Sequence, residues 1–153
     1  MPSRVHSLLV KAGSLSWREW LTLMQAFFVL PVVWVGLRLV SLPRLMQVLS
    51  PGGTSDRPGD GPDPFEGARR SARLVQGAAG INPLPSSCLS RSVTLWWLLR
   101  RRGVPAEIRL GVQTGEDGLA AHAWVEVDGR PVNDATAPGE RFAAFTGELM
   151  PRR

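Results

Sequence analysis

A thiol that attacks a carbonyl needs a base to take its proton and a third group to hold that base in place. This chain of 153 residues contains a single cysteine, Cys88, and only two histidines, His6 and His122. Cys88 stands in Pro83-Leu84-Pro85-Ser86-Ser87-Cys88-Leu89-Ser90-Arg91-Ser92, where a helix is about to begin. At a helix start it faces unpaired backbone N–H groups and the positive end of the macrodipole, and both favour negative charge on sulfur. His122 lies in Ala120-Ala121-His122-Ala123-Trp124-Val125, where small neighbours leave the imidazole approachable, whereas His6 lies in the N-terminal tail. Asp134 follows on the next predicted strand and Asp128 is the rival carboxylate, though as a turn residue it has an ordinary local role. A lone cysteine is more often a small buried hydrophobe, so the reading rests on the three residues together.

The elements that must position these groups separate by composition. Residues 1–49 are helical in pattern. Ser14 or Ser16 is a candidate cap for a helix opening at Trp17, and Pro31 is expected to kink or break it. Trp20 to Leu37 carries no formal charge, at the lower edge of the length that spans a membrane. The competing expectation is a broken helical hairpin packed on the domain or on a partner, with Leu42 to Leu49 as its second, amphipathic piece. Residues 50–64, dense in Gly, Pro and Asp, read as a flexible linker.

Residues 65–153 carry the chemistry. An amphipathic helix is predicted from Phe65 to Ala79. A buried one follows from Cys88 to Arg102, capped by Ser86 or Ser87 and stopped by Gly103. Alternation from Ile108 to Val112 then predicts a strand, Gly115-Glu116-Asp117-Gly118 a turn, and Ala121 to Val127 and Arg130 to Asp134 a hairpin. The fold class is therefore α+β, a nucleophile helix packed on a small antiparallel sheet. The hairpin loop matters to the site. A two-residue Asp128-Gly129 turn would put Ala123 opposite Asp134. A three-residue loop with a bulge at Gly129 would put His122 there, and that loop is the expected one.

The net charge of +5 comes from 18 basic residues of which only Lys11 is a lysine. The arginine clusters are short and no aromatic-basic motif accompanies them, which argues against nucleic-acid binding. One cysteine excludes an internal disulfide and suits a reducing compartment. One well-placed histidine and one cysteine are too few ligands for a metal site, and no phosphate-cradling glycine loop calls for ATP, so no cofactor is expected. The Cys88 backbone N–H is the expected oxyanion donor, with the Asn82 side chain as a candidate second donor.

Cys88-Leu89-x-Arg91-Ser92, Leu98-Leu99-Arg100-Arg101-Arg102-Gly103-Val104-Pro105, Arg109-Leu110-Gly111-Val112 and Ala121-His122-Ala123-Trp124-Val125-Glu126-Val127-Asp128-Gly129-Arg130-Pro131-Val132 together resemble the transglutaminase-like leader peptidases of lasso peptide biosynthesis. The resemblance runs over about residues 65–135 and implies a transglutaminase/papain-like core with a Cys-His-Asp site. The nucleophile maps onto Cys88, the base onto His122 and the orienting acid onto Asp134. It implies a substrate as well, a ribosomally made precursor cut between leader and core. The implied partners are a stand-alone leader-recognition protein, because residues 1–49 show no winged-helix strand pattern, and a lasso cyclase that acts on the freed core. The implied location is the cytoplasm, with membrane association through residues 20–37 left open. Two other readings stay open on the residues alone: a transglutaminase-like amide transferase of the same fold, and a non-catalytic scaffold whose Trp-rich helices bind a partner.

Overall fold

Ser16 starts the first helix of the computed structural model, which describes residues 15–50, 63–115, 118–134 and 143–144. Its hydroxyl accepts from the Glu19 N–H while the Glu19 carboxylate accepts from the Ser16 N–H at 2.8 Å, a reciprocal capping box. The Glu19 carboxyl is held below its ordinary value, first by the Ser16 backbone bond and then by the Ser16 hydroxyl. Helix α1 then runs without interruption from Trp17 to Leu39.

The expected break at Pro31 does not occur, and the reason is a residue far away in sequence. Proline lacks the N–H that would donate to the carbonyl four residues earlier, here that of Phe27. The Asn82 side chain supplies the missing donor, its Nδ2 lying 2.9 Å from the Phe27 oxygen. The helix continues because its vacant acceptor is filled from outside.

The chain instead turns at Val40 and Ser41, after which α2 spans Leu42–Leu49. It packs back on α1 where Gly36 faces Leu45. A Cβ on Gly36 would fall 2.6 Å from Leu45 Cδ1, so the glycine permits the close approach. A hairpin therefore forms, hinged ten residues beyond the predicted break. Residues 51–62 of the expected linker lie outside the described residues. Its last two positions belong to the next helix: the Asp63 carboxylate accepts from the N–H groups of Phe65 and Glu66, and Pro64 opens α3, Pro64–Ile81.

Helix α4, Cys88–Arg101, begins at the nucleophile candidate. The Ser87 hydroxyl accepts from the Ser90 N–H at 3.1 Å, and Gly103, in the left-handed region at φ 76°, closes the far end. Arg102 reaches from that end to Ser71 on α3 and Thr22 on α1, so one guanidinium ties three helices together. The buried residues of α1 and α2, among them Ala26, Leu30, Val33 and Met46, join the same apolar cluster as Val93, Trp96, Ile108 and Val125. Residues 15–49 thus share a core with the helix and sheet that follow. The α1 helix is also long and apolar enough to cross a membrane by length and composition.

Strands β1, Ala106–Gly115, and β2, Gly118–Val127, pair antiparallel along their whole length, with Gly115 opposite Gly118. Glu116 and Asp117 of the expected turn lie outside the described residues. Two short strands, β3 (Arg130–Pro131) and β4 (Ala143–Ala144), complete a sheet of order β3-β2-β1-β4. The second hairpin departs from expectation. Val127 pairs with Arg130 across a two-residue turn in which Asp128 and Gly129 both have positive φ, at 51° and 70°. That is the type I′ signature, whose twist matches the strands, and it replaces the predicted bulge.

Candidate active site

A two-residue turn should carry Asp134 to Ala123 and away from His122, yet His122 Nε2 lies 2.8 Å from Asp134 Oδ2. The chain leaves the ladder early, since β3 ends at Pro131 and not at the expected Asp134. The Val132 N–H still donates to the Val125 carbonyl at 3.0 Å. In a regular ladder the Val125 N–H would return the bond to Val132. It donates instead to the Asn133 side chain, whose Oδ1 lies 2.8 Å away. Asn133 thereby stands in for a backbone carbonyl, the strand bends, and Asp134 comes round to the imidazole.

Asn133 also fixes this bend to α4. Its Nδ2 donates to the Ser92 hydroxyl at 3.1 Å, and Ser92 donates to the Ala123 carbonyl at 3.0 Å. Ser92 is fully buried and one helical turn beyond Cys88. The helix that Cys88 opens, the strand of His122 and the bend of Asp134 are therefore joined by one hydrogen-bonded chain. Sequence reading missed Asn133 because its role depends on a contact across the fold, although Ser92 was within the motif.

Cys88, His122 and Asp134 line a single cleft of about 410 Å³, together with Ala123, Val132 and Asn133 on the sheet side and residues of α3 and α4 opposite. Cys88 is partly buried, and the His122 and Asp134 side chains keep 28% and 18% of their surface, so all three stay reachable. A carboxylate can only accept, which makes Nε2 the protonated ring nitrogen in this pair. Trp124, 1% exposed, stacks beside the imidazole with ring centroids 6.1 Å apart, and its Nε1 donates to Glu126 at 2.8 Å. Glu126 is held in turn by Arg109 at 3.1 Å. The ring of His122 is thus oriented by a carboxylate at one edge and an indole on its face.

Cys88 is the first residue of α4, so its N–H is among the first-turn donors that the helix itself does not bond. Asn82 is not brought to this cleft. Its Nδ2 serves Phe27 and its Oδ1 accepts from the Leu84 N–H at 3.1 Å, which commits the side chain to the end of α3 and to the Pro31 gap. These two bonds give the Asn82 side chain a structural role.

This chain belongs to the transglutaminase-like superfamily, which it matches over residues 31–146. Within the curated proteins it is similar to the Microcin J25-processing protein McjB of Escherichia coli, 38% identical over 55 residues. That stretch is 36% of this chain and 26% of McjB, so the chain aligns with about a quarter of its relative. No solved structure matches the chain.

Proposed function

We propose that the protein is a cysteine peptidase that removes the leader from a ribosomally made lasso peptide precursor. The observation that carries the reading is the His122–Asp134 contact of 2.8 Å in a cleft that Cys88 also lines. The superfamily match and the likeness to a microcin-processing protein support the choice of peptide as substrate.

In the proposed reaction Cys88 Sγ attacks the carbonyl at the leader's end and His122 accepts the thiol proton. Because Asp134 engages Nε2, Nδ1 is the nitrogen that exchanges this proton. The oxyanion is held by the Cys88 N–H at the start of α4. His122 then protonates the departing core amine, the peptide bond breaks, and a thioester links leader to sulfur. Water, deprotonated by His122, resolves that thioester and releases the leader acid. Asp134 holds the imidazole tautomer and stabilises its cation throughout. The chain works with a stand-alone leader-recognition protein, and its free thiol suits the cytoplasm.

Mass spectrometry of the adjacent precursor peptide tests this, with the protein, the leader-binding partner, and either wild type or Cys88→Ala. Cleavage at one site, abolished in the variant, is the expected result. A folded wild type that leaves the precursor whole in the partner's presence would overturn the reading.

A further inference from the structure

The wall of the cleft facing His122 is cationic. Arg69 and Arg73 from α3 and Arg91 from α4 all line it, against one acid among the described residues, Asp134, which His122 already engages. Arg69 and Arg73 are one turn apart on the same side of α3, and Gln76 continues that side. Among the described residues, no buried acid is paired with any of the three guanidiniums. Arg69 meets Glu66 at 3.6 Å, an exposed i,i+3 pair of little strength. Arg73 forms no ion pair among the described residues and reaches an acid only through the field, as the weakest influence lowering Glu19.

Arg91 is the best placed. It lies three residues after Cys88 on α4, hence on the same face and about 4.5 Å further along the axis. Its Nη1 donates to Gln76 Oε1 at 2.9 Å and its Nε to the Ser87 carbonyl at 3.3 Å. Both partners are neutral, so among the described residues the side chain is held in place without a counter-charge. A guanidinium has five N–H donors in a planar fork, and two are committed here. The remaining donors suit a carboxylate, which a fork binds with two parallel hydrogen bonds.

We infer that Arg91, with Arg73 and Arg69 behind it, forms a subsite for a carboxylate of the peptide held in the cleft. An extended chain advances about 3.3–3.6 Å per residue, so this carboxylate lies within about two residues of the carbonyl that Cys88 attacks. The inference rests on the peptidase reading for the identity of the ligand, but the cationic subsite is testable without it.

Cys88 is the sole cysteine, so alkylation reports on this cleft alone. Iodoacetate and iodoacetamide differ in charge and react at the same sulfur, so their rate ratio cancels any change in the thiol's own reactivity. The wild-type ratio should exceed that of a neutral cysteine derivative by several-fold at low ionic strength and fall toward it at about 0.5 M salt. Arg91→Gln and Arg73→Gln should each lower it about two- to five-fold, with Arg91→Lys intermediate because it keeps charge and loses the fork. A wild-type ratio equal to the reference and indifferent to salt would overturn the subsite even if no variant folds.

Precursor peptides with Glu or Gln at each of two positions on either side of the cut, and with a free or amidated C-terminus, then identify the source of the carboxylate. A several-fold rise in KM on Glu→Gln at one position, with kcat retained, places a side chain in the subsite. The same rise on amidation places a chain terminus there. Cleavage indifferent to all of these charges overturns the inference while leaving the peptidase intact. Anion-selective alkylation without any cleavage overturns the peptidase and leaves the subsite.

Discussion

Asn82 and Pro31 should be energetically coupled although one lies on α1 and the other at the end of α3. The Phe27 carbonyl is partly buried and loses its helical donor to Pro31, so Asn82 Nδ2 is what satisfies it. Asn82→Ala removes that donor and also the acceptor for Leu84 N–H. A stranded, partly buried acceptor costs about 1–2 kcal/mol and the second bond about 0.5–1 kcal/mol, so the variant should lose roughly 1.5–3 kcal/mol. In a chain of this size that lowers Tm by about 5–10 °C. In a Pro31→Ala background the restored N–H bonds the Phe27 carbonyl, and the same substitution should then cost about 1 kcal/mol less. Urea unfolding of the four proteins, followed by helix ellipticity and by the fluorescence of the six tryptophans, measures the coupling directly. Additivity within about 0.3 kcal/mol would refute the gap-filling role. The cycle also separates structure from catalysis: turnover per folded molecule should survive Asn82→Ala, and a large kcat loss without loss of stability would return Asn82 to the oxyanion hole.

Three further outcomes follow from the geometry. Asp134→Asn keeps the shape of the contact but not its charge, so kcat should fall on the order of 10³–10⁴-fold in a precursor-cleavage assay with stability little changed; retention of wild-type turnover would remove Asp134 from the mechanism. Asn133→Ala leaves the Val125 N–H and the Ser92 hydroxyl short of a partner, and should both destabilise the fold by about 1–3 kcal/mol and reduce kcat as the Asp134 bend relaxes; unaltered urea midpoints would show that the bend holds itself. Glu19 titrates below its ordinary value of 4.5 in the folded state, so the unfolded chain binds the extra proton and stability is complete above that value and falls as pH drops through the folded value; Glu19→Gln should flatten this part of the stability–pH curve, and an unchanged curve would deny the capping box its contribution.

The helices and the long hairpin were legible because their signals are local. Ser16 with Glu19, Ser87 before Cys88 and Gly103 after α4 are start and stop chemistry that needs no knowledge of the rest of the chain. The candidate triad was legible for a different reason, since one cysteine and one histidine outside the N-terminal tail leave few ways to assemble it. The cationic wall was not, because α3 and α4 are separate in sequence and only their packing turns Arg73, Gln76 and Arg91 toward the same space.

The two departures from expectation share a physical origin. Pro31 was expected to kink or break α1 because a backbone donor is missing, and the two-residue turn found in place of the expected bulge should have separated Asp134 from His122 because the ladder dictates which residues oppose. In each case an asparagine side chain, which is itself an amide, takes the place of a peptide group. Asn82 Nδ2 replaces the N–H that Pro31 lacks, and Asn133 Oδ1 replaces the Val132 carbonyl at Val125. The first substitution accompanies a helix that runs unbroken across a proline, and the second frees a strand from its register. Rules based on periodicity and turn type count only backbone partners, so they fail where a side chain from elsewhere in the fold completes the hydrogen bonding. The local rule read Val127-Asp128-Gly129 as a bulged loop because a type I turn ending in glycine is common and would also set Asp134 opposite His122. The contact survives that error because the bend at Asn133, anchored to the nucleophile helix through Ser92, does the carrying. It follows that the separation of His122 and Asp134 is set by α4 and not by the sheet alone, so a substitution that shifts this helix should disturb His122 and Asp134 together with Cys88.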